Sequence, residues 1–217
     1  MSSANVKFAK KRLEILRTAA AAFRHHGYYG ASVADIARAL HMRKGNLYYY
    51  FQNKEEILYF CHDYSLDLLL RVLREVESSD APPEKKLHRL IVAFVHIVLD
   101  ELNGTGLTLD LVALSPPRLK KIIAKRDRFD RGVRRIVKSG MDAGVFLPRD
   151  PKLLTFAIFG VVNWIPRWFN PQGPANSAEI SQTFAHYLLA GLMNAAPSGE
   201  QPSVAAHVQL TKPILSS

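Results

Sequence analysis

Arg43, Lys44, Asn46, Tyr48, Tyr49 and Tyr50 crowd one short stretch of this chain, and all six carry groups that touch nucleic acids. The Arg43 guanidinium matches the two acceptors on the major-groove edge of guanine, and the Asn46 amide matches adenine. A bidentate pair of either kind discriminates against the wrong base by about 1–3 kcal/mol. Lys44 and Tyr49 join them as candidates for base edges. Gly45 has no side chain, so the backbone there can approach a duplex closely. Tyr50 reads instead as a core aromatic. Charges on a surface helix are commonly just solvated, so the assignment depends on the elements that present them.

Enzymatic chemistry finds little support in the residue pattern. No glycine-rich loop follows a strand, and no Gly-x-Ser-x-Gly is present. His25–His26 and Cys61–His62 are adjacent pairs, whereas a helix brings i and i+4 together for a shared metal. His88 and His96 read as surface or core residues rather than a dyad. The expectation is no catalytic residue, no metal and no cofactor.

Composition narrows the class further. The 217 residues include 29 Lys and Arg against 19 Asp and Glu, a formal charge of +10. Such an excess favours a polyanionic partner: nucleic acid, an anionic membrane surface or a phosphorylated small molecule. Apolar residues reach 48%, enough to bury a substantial core. Cys61 is the single cysteine, which excludes an intrachain disulfide and suggests a reducing compartment. The N-terminus lacks a signal-like apolar run. The longest mostly apolar stretch, Leu153 to Ile165, is too short to span a bilayer and is interrupted by Asn163. A cytoplasmic protein with no membrane segment is expected.

The elements that carry these residues are all helical. Apolar positions recur at three and four from Asn5 to His26, and Gly27 supplies a stop. Ser32 and Asp35 form a capping signal for a short helix with Val33, Ile36, Ala37 and Leu40 on its inner side. After Leu40-His41-Met42 a second short helix follows, with Leu47, Tyr50 and Phe51 inward and Lys44, Asn46 and Tyr49 outward. The pair reads as a helix-turn-helix. Asn53 and Glu56 cap a long helix through about Glu77. Beyond Ser78 to Pro83, the best candidate domain boundary, helices are expected over Glu84–Leu102, Leu107–Leu114, Pro117–Ala143, Asp150–Phe169 and Ser177–Met193. Pro166 is expected to kink or end the fourth of these. The class is all-α with about nine helices. The division is 1–52 for the helix-turn-helix unit, 53–78 for a connecting helix, 79–196 for a helical body and 197–217 for a flexible tail.

Ile15 to Tyr59 resembles the DNA-binding domain of the TetR family of bacterial repressors. The shared elements are the Ile-Leu-…-Ala-Ala-…-Phe helix ending in His-Gly-Tyr, then Ser-Val-…-Asp-Ile-Ala, Lys-Gly-…-Leu-Tyr-Tyr-…-Phe and Asn-Lys-Glu-Glu-Ile-Leu. The resemblance implies a ligand-responsive repressor, a homodimer that binds a double-stranded DNA operator with one recognition helix in each major groove. It assigns phosphate contacts to Tyr48 and Lys54. Ser32 offers a hydroxyl at a helix start to another phosphate. Ten Lys and Arg against four acids in the first sixty residues agree with this, since phosphate contacts supply most non-specific affinity. His41 stands where the family commonly has Gly, Arg43 and Asn46 where it often has Ser or Thr, and Tyr50 where it often has His. The operator is therefore not one to borrow from a relative.

The body points to an effector. Arg118 to Lys138 holds ten basic residues against Asp127 and Asp130, with Arg118, Lys121, Lys125 and Arg128 along one face. That face is either solvated or a seat for a phosphate-bearing ligand. The Gly160–Pro171 stretch and the Lys125–Phe129 run resemble TetR-family regulators of fatty-acid and steroid catabolism. The implied small-molecule effector is an acyl-CoA thioester, with a hydrophobic drug-like inducer as the alternative. Phe94, Leu109, Phe129 and Phe159 suit an acyl group. Arg126, Arg128, Arg167, Trp164 and Trp168 suit its headgroup, although Trp164, Arg167 and Trp168 equally fit helix-end or subunit packing. The family's dimer surface falls on the last two helices, where Val162, Ile165, Phe184, Leu188 and Leu192 are the candidate contacts.

Overall fold

The computed structural model describes residues 3–101 and 110–193. Eight α-helices and one 3-10 turn, Leu111–Ala113, account for the ordered elements among them. The first three helices are α1 (Ser3–Gly30), α2 (Val33–Ala39) and α3 (Lys44–Tyr48), and α4 (Lys54–Glu77) follows. The rest are α5 (Pro83–Leu99), α6 (Pro116–Asp142), α7 (Pro151–Trp168) and α8 (Ser177–Ala190). Leu109, most of the helix expected over Leu107–Leu114, and the tail 197–217 lie outside the described residues.

Local signals set the helix ends. Gly27 breaks α1 with φ 68°, a left-handed backbone that only glycine adopts without cost, and one further turn runs on to Gly30. Ser32 caps α2 by accepting from the Asp35 amide at 3.1 Å, and its hydroxyl donates to the Asp35 carboxylate at 2.6 Å. That bond holds the Asp35 carboxyl below its ordinary range. His41 takes φ 53° in the connection to α3, as a residue in the family's glycine position must. Asn53 caps α4 and Asn176 caps α8, the latter with a full capping box to Glu179. Pro166 does not end α7. Its missing N–H falls near the last turn, and the helix continues to Trp168.

α5 is the hub. Leu87, Leu90, Ile91, Phe94, Val95, Ile97, Val98 and Leu99 are all buried, and α4, α6, α7 and α8 pack around them. α4 lies against α6 so closely that a Cβ on Gly132 would sit 2.2 Å from a Leu73 methyl. α1 packs on α4, α2 on α1 and α3 on α2, which joins a small three-helix head to one end of the body. No helix among the described residues is long and apolar enough to cross a membrane.

Candidate nucleic-acid interface and effector cavity

The head displays its polar residues outward around a buried pivot. Leu47 and Phe51 are buried, and Tyr50 is half-buried with its ring stacked on Phe8 at 5.0 Å. Arg43, Lys44, Gly45, Asn46, Tyr48 and Tyr49 are all exposed, Tyr49 by 74%. Five helical residues suffice because one buried side chain anchors α3 and the others project. Gly45 has nothing within 4 Å of where a Cβ would stand, so the free chain does not need a glycine there for packing.

Two expected phosphate contacts are already engaged inside the head. The Lys54 ammonium donates to the Tyr28 and Ala31 carbonyls at 2.8 and 3.0 Å and lies 4.4 Å from the Tyr28 ring centre. It ties the start of α4 to the end of α1, so its first role is to position the head. The Ser32 hydroxyl is committed to the α2 cap. Arg12, counted above among the charges available to DNA, instead stacks over Phe51 and Phe60 at 4.7 and 4.3 Å.

In the body, Phe94, Phe129 and Phe159 meet from α5, α6 and α7 with ring centres 5.4 to 5.7 Å apart. They form part of the wall of a cavity of about 330 Å³, with Leu66 and Leu69 from α4 and Arg126, Asp127, Asp130 and Arg134 from α6. Phe156 and Asn163 complete the lining. The exposed positions, Asp127, Phe156 and Asn163, mark the mouth, and the buried Leu66, Leu69, Phe94 and Phe129 mark the floor. Asp130 and Arg134 pair with each other, and Arg134 stands over the Phe156 ring at 5.3 Å. Burial lowers the Arg126 pKa.

Arg128, Trp164, Arg167 and Trp168 do not line this cavity. Trp164 is 63% exposed with Arg167 over its ring, and Trp168 stacks on Phe184 at 6.0 Å. They belong to the outer face of α7. The same face corrects the expected subunit contact. Val162 and Ile165 are 0% exposed, and Leu192 is buried, because they pack into their own protomer. Phe184 and Leu188 remain half-buried. The exposed apolar stripe is Leu153, Phe156, Gly160, Trp164 and Trp168 on α7, with Tyr187 on α8 at 77%. The signal was present in the sequence: α7 is apolar on two sides, and only one of them can face α5.

The basic face of α6 is neither free nor a ligand seat along its length. Arg118 pairs with Glu55 at 3.0 Å, Lys125 with Asp63 and Asp67 at 2.5 and 2.7 Å, and Arg135 with Glu77 at 2.6 Å. All four acids belong to α4. Glu55 also accepts from the Ser115 amide at 2.8 Å, and that bond, aided by Arg118, lowers its pKa. Burial opposes the charge on Lys125, yet its bonds to Asp63 and Asp67 outweigh burial and raise its pKa. α4 and α6 are thus joined by an ionic seam outside and by the cavity wall inside.

Sequence reasoning also passed over His62 and Ser65. Both are buried on α4, and neither His62 nitrogen nor the Ser65 hydroxyl has a hydrogen-bond partner among the described residues. A histidine in step with an apolar stripe was the available signal.

Comparison with known proteins agrees with this architecture. A family model described as "Bacterial regulatory proteins, tetR family" matches residues 15–59. A second, "Tetracyclin repressor-like, C-terminal domain", matches residues 80–192. The HTH-type transcriptional repressor KstR2 of Mycobacterium tuberculosis (strain ATCC 25618 / H37Rv) is 26% identical over 185 residues, covering 84% of this chain and 92% of its own. Among solved structures, the TetR family regulator PfmR from Thermus thermophilus superposes with a TM-score of 0.74 at 32% identity, over 83% of this chain and 99% of that one. AibR, solved in complex with isovaleryl coenzyme A and operator DNA, gives 0.70 at 27% identity, over 82% of this chain and 97% of that one.

Proposed function

The chain belongs to the TetR family of bacterial transcriptional regulators, and on that footing we propose that it is a homodimeric repressor released from operator DNA by an acyl-CoA thioester. It is a regulator and not an enzyme. One observation carries the ligand-responsive part of the reading: the two helices that wall the cavity, α4 and α6, are also the two that tether the head.

Arg43, Lys44, Asn46 and Tyr49 read base edges in this proposal, and Tyr48 holds phosphate. Lys54 fixes the angle at which α4 leaves the head. A dimer sets two such surfaces about 34–36 Å apart, one helical turn of DNA. The exposed stripe of α7 and α8 supplies the subunit contact, with Leu153, Gly160, Trp164 and Tyr187 replacing Val162 and Ile165 as the contact residues. Residues 1–52 act as the DNA-binding unit, 53–78 as the connector and the remainder as the effector and dimer body.

The acyl part of the effector enters among Phe94, Phe129 and Phe159, while Arg126 and Arg134 offer positive charge to its phosphates. AibR, named with isovaleryl coenzyme A, supports this ligand class. A guest wedged between α4 and α6 shifts α6 along the ionic seam. Through Arg118 and Glu55 that motion reaches the first turn of α4 and turns the head. A coupling of about 1–3 kcal/mol is enough for such a switch.

The test is an electrophoretic mobility shift on the gene's own upstream DNA, with acyl-CoAs of increasing chain length, free CoA and free acids. Binding that is released by an acyl-CoA but not by CoA alone is expected. Release by hydrophobic amphiphiles and by no thioester would replace this effector with a drug-like inducer. No retarded band at any salt concentration would sink the regulator assignment at this promoter.

A further inference from the structure

The cavity floor continues into a polar patch that the apolar ligand reading does not use. His62, Ser65, Leu66 and Leu69 stand at i, i+3, i+4 and i+7 on α4, so they share one face. Leu66 and Leu69 line the cavity. His62 and Ser65 carry that wall one turn further inward, away from the exposed mouth at Asp127, Phe156 and Asn163. His62 is 0% exposed and Ser65 1%. Three polar atoms there, both His62 ring nitrogens and the Ser65 oxygen, lack partners among the described residues. Buried polar groups in a folded chain are nearly always bonded, so a cluster of three calls for an explanation.

Structural necessity does not supply one. Among the described residues, His62 braces no helix end and pairs with no acid. Burial, reinforced by the Arg126 guanidinium, pushes its pKa down to about 3, so at neutral pH it is an uncharged ring with one donor and one acceptor. Ser65 likewise has one donor and free acceptor capacity. A hydrocarbon placed against them would leave all three atoms unsatisfied. A carboxylate would bring a bare charge into a buried place where the two nearest partners are neutral.

We propose that His62 and Ser65 form a hydrogen-bonding subsite at the floor of the effector cavity, and that it selects acyl groups carrying a neutral oxygen, a ketone or hydroxyl, far from the thioester. The proposal rests on the acyl-CoA reading above for the identity of the carrier. The thioester and nucleotide remain toward the mouth, near Arg134, and the oxygenated end is the deepest part of the ligand. His62 donates to the ketone oxygen, or accepts from the hydroxyl, and Ser65 makes the second bond.

The full-length protein is titrated calorimetrically with octanoyl-CoA, 7-oxooctanoyl-CoA and 7-carboxyheptanoyl-CoA, and its melting temperature is followed without ligand. The wild type is expected to bind the oxo thioester about tenfold more tightly than octanoyl-CoA, the effect of one well-made hydrogen bond. His62→Leu should abolish that ratio while keeping octanoyl-CoA binding. It should also raise the ligand-free melting temperature by about 2–4 °C, because an orphaned polar ring is replaced by a hydrocarbon of similar size. His62→Gln, which keeps a donor and an acceptor, should retain the preference, and Ser65→Ala should weaken it partly. Equal wild-type affinity for octanoyl- and 7-oxooctanoyl-CoA overturns the subsite, as does tighter binding of the carboxylate. A fall in the ligand-free melting temperature of His62→Leu overturns it as well, since it would reveal a structural partner. If no thioester binds, the acyl-CoA reading fails by itself. The subsite is then decided by thermal shift with 2-octanone against octane, where a preference for the ketone that His62→Leu removes sustains it and the absence of one sinks it.

Discussion

In the head, Arg43, Lys44, Asn46 and Tyr49 stand exposed around one buried residue, Leu47, whereas in the body His62, Ser65 and Phe129 are withdrawn among α4, α5 and α6. The two arrangements answer different binding problems. A duplex is large and hydrated, so its reader needs only a short rigid segment from which side chains project. A small molecule is gripped from several sides, so its site draws on α4, α5, α6 and α7 at once. The difference predicts that mutations in the head act on DNA binding with little effect on folding, and that mutations in the body act on both.

The largest expected effect is in the body. Phe129 is buried and touches the rings of Phe94 and Phe159. Phe129→Ala should cost about 3–5 kcal/mol of stability, the usual range for deleting a buried aromatic. Chemical denaturation measures it. A loss under about 1 kcal/mol would mean that the aromatic trio is loosely packed and that the contrast with the head is false.

Lys54 sharpens the comparison from within the head. Its ammonium serves two carbonyls of the α1–α2 connection. Lys54→Met should cost about 1.5–3 kcal/mol, as hydrogen bonds to a charged group do, and should weaken operator binding because the head is no longer held at its angle. Lys44→Ala, on an exposed site, should weaken operator binding with an unchanged melting temperature. If the two variants have the same melting temperature, Lys54 is a simple phosphate ligand after all.

A step smaller are the base readers. Arg43→Ala and Asn46→Ala should each relax discrimination at one operator position by about 1–3 kcal/mol while leaving affinity for random DNA nearly constant. Quantitative binding to operators changed one base pair at a time checks this. A uniform loss across all sequences would move that residue from base edge to phosphate.

The same contrast explains what could be read from the chain alone. The head is local: Ser32 with Asp35, Gly27, His41 and Asn53 with Glu56 are signals a few residues long, and the structure places each as the pattern requires. Phe94, Phe129 and Phe159 were legible as aromatics suited to an acyl chain, and they do meet. Other parts of the body were not legible because periodicity says that a side is apolar without saying what covers it. Val162 and Ile165 face α5 while Leu153 and Trp164 face outward, and only the packing of α7 decides which stripe is which. The charges of α6 misled for a related reason. Their partners Glu55, Asp63, Asp67 and Glu77 lie on α4, some sixty positions away in sequence.

The smallest effect concerns the joint between the two regions. Glu55 accepts from the Ser115 amide and pairs with Arg118, and its carboxyl is held below the ordinary value of 4.5. A depressed folded-state pKa contributes stability that is fully present above the unfolded value and is lost as pH falls through the folded one. The melting-temperature difference between wild type and Glu55→Gln should therefore be constant from pH 6 to pH 8 and should vanish in acid below that ordinary value. Its size should be modest, under about 1 kcal/mol, because the pair is partly solvated. The informative readout is a different one. If head and body communicate through this joint, Glu55→Gln should leave operator binding nearly intact while reducing the effector's power to release DNA, and higher salt should mimic the substitution. Unchanged release in Glu55→Gln would move the coupling to Lys125 with Asp63 and Asp67, the next ion pairs along the same two helices.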